Sequence, residues 1–267
     1  MIYLKSKEEI ATMHEGGKTL AEILNKLSET VRSGIATQDL DKLARELILF
    51  YVQKTGAEIK TAFLGYGGYP AAVCTSINDE VVHCVPSERK LKEGEIISLD
   101  MGLTYKGFYL DAALTVPVLT EPSSEPSYEF WAKLNPKLHR LLESTKEALN
   151  AGIKQAKVGN RLGKISHAIQ SVVERNGFGV IRELVGHGIG RQLHEEPQVP
   201  NFGQEDEGVR LEEGMVIAIE PMVSLGDWRL VKGSDGFSYK TKDGSYAAHF
   251  EHTVAITKSG PLVLTLP

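Results

Sequence analysis

Two ten-residue segments of this chain, LKEGEIISLD at 91–100 and LEEGMVIAIE at 211–220, lie over each other with Leu, Glu, Gly and Ile in register and a carboxylate closing each. A second pair follows in the same order: LDAALTV at 110–116 and FEHTVAI at 250–256 again set an acid over an acid, Asp111 over Glu251. A chain that repeats strand-like segments in one order is constrained to build two similar halves that pack on each other. The expected architecture is therefore one α+β domain over residues 1–267, with half-repeats at about 1–120 and 130–267.

Local signals agree with that division. Ser6 and Glu9 have capping-box spacing, and Ile10, Met13, Gly17, Leu20, Ile23, Leu24 and Leu27 recur at helical spacing after them. A second helix is expected from Thr37 as N-cap to Gly56 as C-terminal stop. From Ala71 the chain turns to β-branched and alternating runs, AAVCTSI, EIISLDMGL and FYLDAALTVPV, which read as strands. TEPSSEPS at 120–127 reads as a surface connection at the midpoint, and the linker around 119–134 looks long. Helices are expected again at 135–150 and 160–176, then strands in MVIAIEPMV and AHFEHTVAIT.

Composition narrows the class. With 42% hydrophobic and 24% charged residues the chain can bury a large core, and a net charge of −5 gives no global reason to bind DNA or anionic lipid. The N-terminal segment lacks an apolar signal region, and no window approaches the roughly 18 apolar residues of a membrane span. A cytosolic protein without membrane contact is expected. Cys74 and Cys84 form neither a CxxC pair nor a framework, so both should be reduced thiols.

The acids at the repeat carry the chemistry. Asp100 follows the mostly apolar EIISL and Glu220 follows VIAI, so both should sit on buried or half-buried strands, where an ionised carboxylate is unfavourable without a partner. If the halves pack about a pseudo-two-fold axis, Asp100 and Asp111 face Glu220 and Glu251. Lys and Arg are scarce in these strands, and two divalent cations are the natural compensation. His187 in GHGIG adds one imidazole, with Gly186, Gly188 and Gly190 allowing close backbone approach. Oxygen donors with one nitrogen suit Mn, Fe or Co at least as well as Zn. Outside this set, His83 opens HCVP and His194 opens HEEP, each upstream of a repeated LxEG. Two imidazoles flanking the cations from opposite sides could donate to a developing oxyanion or handle a leaving amine.

The segments GYPAAVCTSINDEVVHCVP, SLDMG, GFYLDAALT, GHGIGRQLHEEPQVP, MVIAIEPMV and FEHTVAIT closely resemble the methionine aminopeptidases of the pita-bread fold, over about residues 65–257. That resemblance implies two pseudo-symmetric halves with a central antiparallel sheet flanked by helices. It implies Asp100, Asp111, His187, Glu220 and Glu251 as ligands of two divalent metal ions, and His83, His194 and Glu220 as catalytic residues. The implied reaction removes an initiator methionine when the second residue is small, by attack of metal-activated hydroxide on the methionyl carbonyl carbon, with the free α-amine held near Asp100. Phe63, Tyr66, Tyr69 and Phe237, with His83 and His194, would bind substrate. His187 and Glu220 are only 33 positions apart, which resembles the bacterial type I pattern rather than type II. Phe63, Leu193 and Phe237 depart from the Cys, Phe and Trp common in that pocket, while Tyr66 and Tyr69 match it.

The implied partners are the N-terminal methionine of peptides and nascent proteins and a transient ribosome contact, for a monomer that binds neither DNA nor membrane. Two rivals follow from the same resemblance: an Xaa-Pro peptidase or creatinase-like relative, and a non-catalytic binding protein on the same fold. The former usually carries a further N-terminal domain, and the latter need not retain all five ligands.

Overall fold

The computed structural model describes residues 2–120 and 125–267. In chain order the elements are α1 (Lys7–Thr30), α2 (Thr37–Thr55), β1 (Ile59–Thr61), β2 (Cys74–Ile77), β3 (Glu80–Val82), β4 (Ile96–Tyr105), β5 (Phe108–Pro117), α3 (Glu125–Leu134), α4 (Pro136–Gln155) and α5 (Gly163–Arg175). The remaining strands are β6 (Gly179–Val180), β7 (Gly186–Gly188), β8 (Glu195–Val199), β9 (Val216–Ile219), β10 (Met222–Ser224), β11 (Leu230–Lys232), β12 (Tyr239–Thr241), β13 (Ala247–His249), β14 (Glu251–Thr257) and β15 (Gly260–Val263).

Helix α1 starts where its capping box predicts: Glu9 donates its N–H to Ser6 Oγ at 3.2 Å, and Ser6 donates its own to the Glu9 carboxylate at 2.8 Å. Its apolar stripe is buried, and Gly16 and Gly17 let it lie directly on the sheet. A Cβ on Gly16 would meet Tyr105 Cβ at 2.4 Å, and one on Gly17 would meet the Leu264 carbonyl oxygen at 2.1 Å. In α2 the cap position belongs to Ala36, not Thr37. The Asp39 carboxylate accepts the Ala36 N–H, and the Thr37 hydroxyl is drawn instead into paired bonds with the backbone of Ser87. Gly56 ends α2 in the left-handed region, φ 68°, as a C-terminal glycine should.

The midpoint differs from the sequence reading. Residues 125–134, read as connection and linker, form helix α3, and Trp131 from it is buried among Ile96, Leu119 and the apolar face of α4. Residues 121–124 of that connection lie outside the described residues. Helix α4 begins with Pro136 at its first turn, as expected, but runs to Gln155. Helix α5 begins at Gly163, because the backbone of Asn160 bonds to Leu211 instead.

Every strand pairing is antiparallel. The main sheet runs β1-β4-β5-β14-β9-β7-β8, with β2 also on β4 and β15 also on β14. One apolar cluster lies beneath α1 and α2 and a second beneath α4 and α5. The two segments that read as single strands in the second half are each broken. MVIAIEPMV divides into β9 and β10 at Glu220–Pro221, since proline has no N–H to continue a ladder. AHFEHTVAIT divides into β13 and β14 at Phe250. The pieces β10 and β13 pair with each other in a small separate sheet with β6, so both strands leave the main sheet at one level. This α+β arrangement, an antiparallel sheet with helices packed against it in both halves, is the pita-bread architecture expected.

Candidate metal centre and cleft

The sheet order delivers the five proposed donors one strand at a time. Asp100 stands on β4, Asp111 on β5, Glu251 on β14, Glu220 directly after β9 and His187 on β7, and these strands are consecutive neighbours. Asp100 and Glu251 both stand opposite Ala113, which brings the two halves of the repeat together across β5. Oxygen and nitrogen donors of Asp111, His187 and Glu251 lie within 4.8 Å of one another. Glu220 joins them through its Oε1, 3.7 Å from His187 Nε2.

Close approach at His187 depends on its glycines. A Cβ on Gly186 would meet the Ala218 carbonyl oxygen at 2.4 Å, and one on Gly188 would meet that of Glu196 at 2.2 Å. The His187 Nδ1–H donates to the Gly188 carbonyl at 2.9 Å, which leaves the Nε2 lone pair directed at the acids. A ligating histidine ordinarily has its other nitrogen held in this way.

The electrostatics demand positive charge. Burial, followed by His249 and Glu220, sets the carboxyl of Asp100, which is held up to about 7, and burial lifts Glu220 to about 8. Asp111 and Glu251 are raised as well, first by desolvation and then by repulsion from the other acids. Among the described residues, the ion-pair neighbours of these four acids are only the imidazoles of His187 and His249. Asp100 Oδ1 and Glu251 Oε1 are buried without a hydrogen-bond partner. Buried carboxylate oxygens left open beside an imidazole lone pair are a donor set that fits divalent cations.

Donors and aromatic side chains share one cleft of about 300 Å³, whose walls include Asp111, His187, Glu220 and Glu251; Asp100 is neither among its lining residues nor among the three donors that cluster within 4.8 Å. His83 lies just past β3 in the left-handed region, φ 59°, a conformation that non-glycine residues hold only when the surroundings enforce it. Its ring is open to the cleft, while the enclosing walls, then His249 and His194, lower its pKa. His194 also lines the cleft, its ring 4.4 Å from that of His187. Its Nδ1 lies 2.8 Å from the Tyr66 hydroxyl. Either atom can be the donor; the direction in which Tyr66 donates to Nδ1 is the one that puts the ring proton on Nε2, where it can donate to a substrate oxygen. Desolvation lowers the pKa of His194 too, which keeps it uncharged near neutral pH.

Phe63, Tyr66, Tyr69 and Phe237 all line the cleft. The Tyr69 ring is wedged edge-on between Phe63 and Phe237, at centroid distances of 6.5 and 5.4 Å. Its hydroxyl donates to the Cys84 carbonyl at 3.0 Å, so the ring is fixed and only its apolar side meets the cavity. Gly102, opposite Asp111 in register, makes room for this wall, since a Cβ there would meet Phe63 at 2.7 Å. Tyr66 proves to be half wall and half hydrogen-bond partner of His194. Cys74, Tyr239 and His249 had no place in the sequence reading of the site. Cys74 lines the cleft, opposite Asp100 in register, and both cysteines are free thiols. His249 stands two positions before Glu251, a spacing that places both on one face of an extended strand and is the signal that could have found it.

The model of metallopeptidase family M24 matches residues 11–258. A methionine aminopeptidase of Clostridium acetobutylicum is 43% identical over 267 residues, spanning 100% of this chain and 99% of that protein. Methionine aminopeptidase 1 of Bacillus subtilis is 41% identical over 99% of both chains. The chain belongs to the methionine aminopeptidases of family M24. The crystal structure of a methionine aminopeptidase from Thermotoga maritima superposes with a TM-score of 0.88 at 44% identity, covering both chains in full. A prolidase from Pyrococcus horikoshii superposes at 0.71, but at 21% identity and over 63% of its own length, and that likeness is one of fold alone. Membership of a metallopeptidase family makes the chain a metal-dependent hydrolase, with Asp111, His187 and Glu251 a cluster able to hold an ion. No described helix is long and apolar enough to cross a membrane.

Proposed function

We propose that Asp100, Asp111, His187, Glu220 and Glu251 hold two divalent cations, and that the cleft beside them removes the N-terminal methionine of a peptide or newly made protein whose second residue is small. The observation that carries this reading is that Asp111, His187 and Glu251 bring donors within 4.8 Å of one another on an aromatic-walled cavity that Glu220 also lines, with Asp100 on the adjoining strand β4 and orphaned buried oxygens on Asp100 and Glu251. Divalent cations at such a site lower the pKa of a water to about 7 and polarise a carbonyl.

The chain's own groups supply the rest. Glu220, flanked by imidazoles rather than by Lys or Arg, takes up a proton at its carboxylate and passes it to the departing nitrogen. His194 donates from Nε2 to the scissile carbonyl oxygen as charge builds there, with Tyr66 fixing its tautomer. His83, facing the cleft from the other half, lies against the scissile amide. Phe63, Tyr69 and Phe237 form a slot for an unbranched thioether side chain. All five donors and both histidines come from a single chain, so the reading requires no second copy. Oxygen donors with one nitrogen favour Mn, Fe or Co, with Zn also admitted. Two free thiols and nascent chains as substrate support a cytosolic location with transient ribosome contact.

The test is chelator-treated protein assayed on Met-Ala-Ser and Ala-Pro peptides, with Mn, Fe, Co and Zn restored in turn. Chelation should abolish cleavage of Met-Ala-Ser and a restored ion should recover it, with Ala-Pro cleaved poorly throughout. Full activity after exhaustive chelation overturns the metal centre, and equal rates on Ala-Pro overturn the substrate assignment.

A further inference from the structure

His249 is the one imidazole beside the acids that the mechanism above leaves unused. It is 2% exposed, and neither ring nitrogen has a hydrogen-bond partner among the described residues. A buried polar group left unsatisfied is ordinarily destabilising, so its presence calls for a reason. Its backbone is clamped on both sides by Thr115, which accepts the His249 N–H at 2.9 Å and donates its hydroxyl to the His249 carbonyl at 2.8 Å. Ser98 holds that threonine in turn, at 2.8 Å. This clamp fixes the start of the ring where β13 leaves the main sheet, and Nε2 comes to rest 3.6 Å from Glu220 Oε2 and 3.9 Å from Glu251 Oε2.

Glu220 is thus bracketed by two imidazoles, His187 at Oε1 and His249 at Oε2, and the two differ in one decisive respect. The Nδ1–H of His187 is occupied by the Gly188 carbonyl, which forces its lone pair onto Nε2 and makes it a ligand. Among the described residues no group bonds Nδ1 of His249, so its lone pair is not forced onto Nε2 and the ring is free to carry its proton on Nε2. The nearest acceptor for that proton is Glu220.

We propose that His249 is a positioning residue of the metal centre, donating its Nε2–H to Oε2 of Glu220 and thereby fixing which carboxylate oxygen faces the cations and which is left to take up the proton. The proposal rests on the reading of Glu220 as ligand and base. At 3.6 Å the two atoms stand at ion-pair distance, just beyond a formed hydrogen bond.

The experiment compares His249→Gln, which keeps an N–H donor, with His249→Leu, which keeps bulk and removes it. Mn affinity is measured by titration calorimetry on chelator-treated protein, and kcat and KM on Met-Ala-Ser. Loss of a partner that orients a ligand typically weakens metal affinity or activity about 10–100-fold. His249→Leu should show that loss in Mn affinity and kcat with KM little changed and with its metal-free melting temperature at or above the parent's. His249→Gln should stay within a few-fold of the parent. In the Zn-loaded parent, side-chain 15N spectra should show a proton on His249 Nε2, a readout that needs no variant to fold. Parent-like Mn affinity and kcat in His249→Leu, a His249→Gln as impaired as the leucine variant, or an unprotonated, ion-bound Nε2 would each overturn the proposal. A parent that neither binds Mn nor cleaves Met-Ala-Ser would overturn the underlying reading as well, whereas an unaffected leucine variant in an active parent overturns this inference alone.

Discussion

Without its cations the acidic cluster should make the protein lose stability as the solution becomes alkaline. Asp100 titrates at about 7 in the fold against 3.8 ordinarily, and Glu220 at about 8 against 4.5. An acid raised by folding binds more protons in the native state than in the unfolded one, so unfolding free energy falls as pH rises from the unfolded value through the folded one. Below about pH 6.5 the buried histidines His187, His249 and His252 act in the opposite sense. Their pKa values are lowered, so it is the unfolded chain that takes up protons there. An unfolded histidine is still half protonated at about pH 6.5, so this opposing effect fades only by about pH 7.5, and above it the acids decide the slope. Integrating the two acid titrations from about pH 7.5 to 9 gives a loss of roughly 1 kcal/mol, most of it from Glu220. Asp111 and Glu251, also raised, add in the same direction. For 267 residues, at about 2 cal/mol/K of unfolding entropy per residue, a loss of about 1 kcal/mol lowers Tm by about 2 °C. The assay is thermal unfolding of chelated protein across that interval, repeated with saturating Mn. Metal binds the ionised carboxylates, so its stabilising effect should grow with pH and remove the decline. A chelated protein whose Tm is flat or rises between about pH 7.5 and 9 would refute the reasoning.

Three substitutions at the cleft separate its two kinds of histidine. His194→Ala and His83→Ala should each lower kcat on a Met-Ala peptide on the order of a hundredfold with metal stoichiometry unchanged, while His187→Ala should weaken metal binding itself; near-parent kcat in the first two would remove their assigned roles. Lys5→Met should destabilise the protein by about 3 kcal/mol in denaturant unfolding, because it strands Glu195 from a buried ion pair. That pair is 2.5 Å long, with side chains 3% and 2% exposed, and pins the N-terminal segment to the loop carrying His194. The double variant with Glu195→Leu should recover part of the loss, and a change under about 1 kcal/mol for Lys5→Met would show the pair to be dispensable.

How much of this was legible in the sequence depended on whether a signal was local and periodic. The capping box of α1, the buried stripe of α1 and α2, the strands carrying Asp100 and Asp111, and the glycines around His187 all rest on short-range pattern, and the structure realises each. The repeat went further, because it set Asp111 over Glu251, and donors of these two acids lie with His187 within 4.8 Å of one another. Pattern failed where a tertiary partner outbid local preference. Thr37 has a cap residue's chemistry, yet Ser87, fifty positions away, takes its hydroxyl. Residues 125–134 are rich in loop signals, Pro126 and Ser127 among them, but Trp131 needs an apolar shelter and α4 provides it. His249 was overlooked because its one mark, the two-residue spacing from Glu251, counts only once Glu251 itself is placed at the centre.

The two halves are alike in pattern but not in the freedom they give their acids, and that difference bears on which acid can move a proton. Asp100 and Asp111 lie inside continuous ten-residue strands whose register is unbroken from end to end. The backbone of Asp111 is further locked by Thr253, which accepts its N–H and donates to its carbonyl. Acids on backbone held this firmly are suited to staying in place. Glu220 instead stands where β9 has ended and Pro221 prevents the ladder from continuing, and Asn201 donates to its carbonyl from the side chain rather than from a neighbouring strand. It also carries the longer side chain of the pair that the repeat sets together. A glutamate at a strand break can exchange its two oxygens between neighbours with little strain, whereas the aspartate at the equivalent place in the first half cannot. The same break sends β13 out of the main sheet and brings His249 against Glu220. The departure from symmetry therefore frees the one acid assigned to proton transfer and, in the same step, supplies the imidazole that limits its freedom.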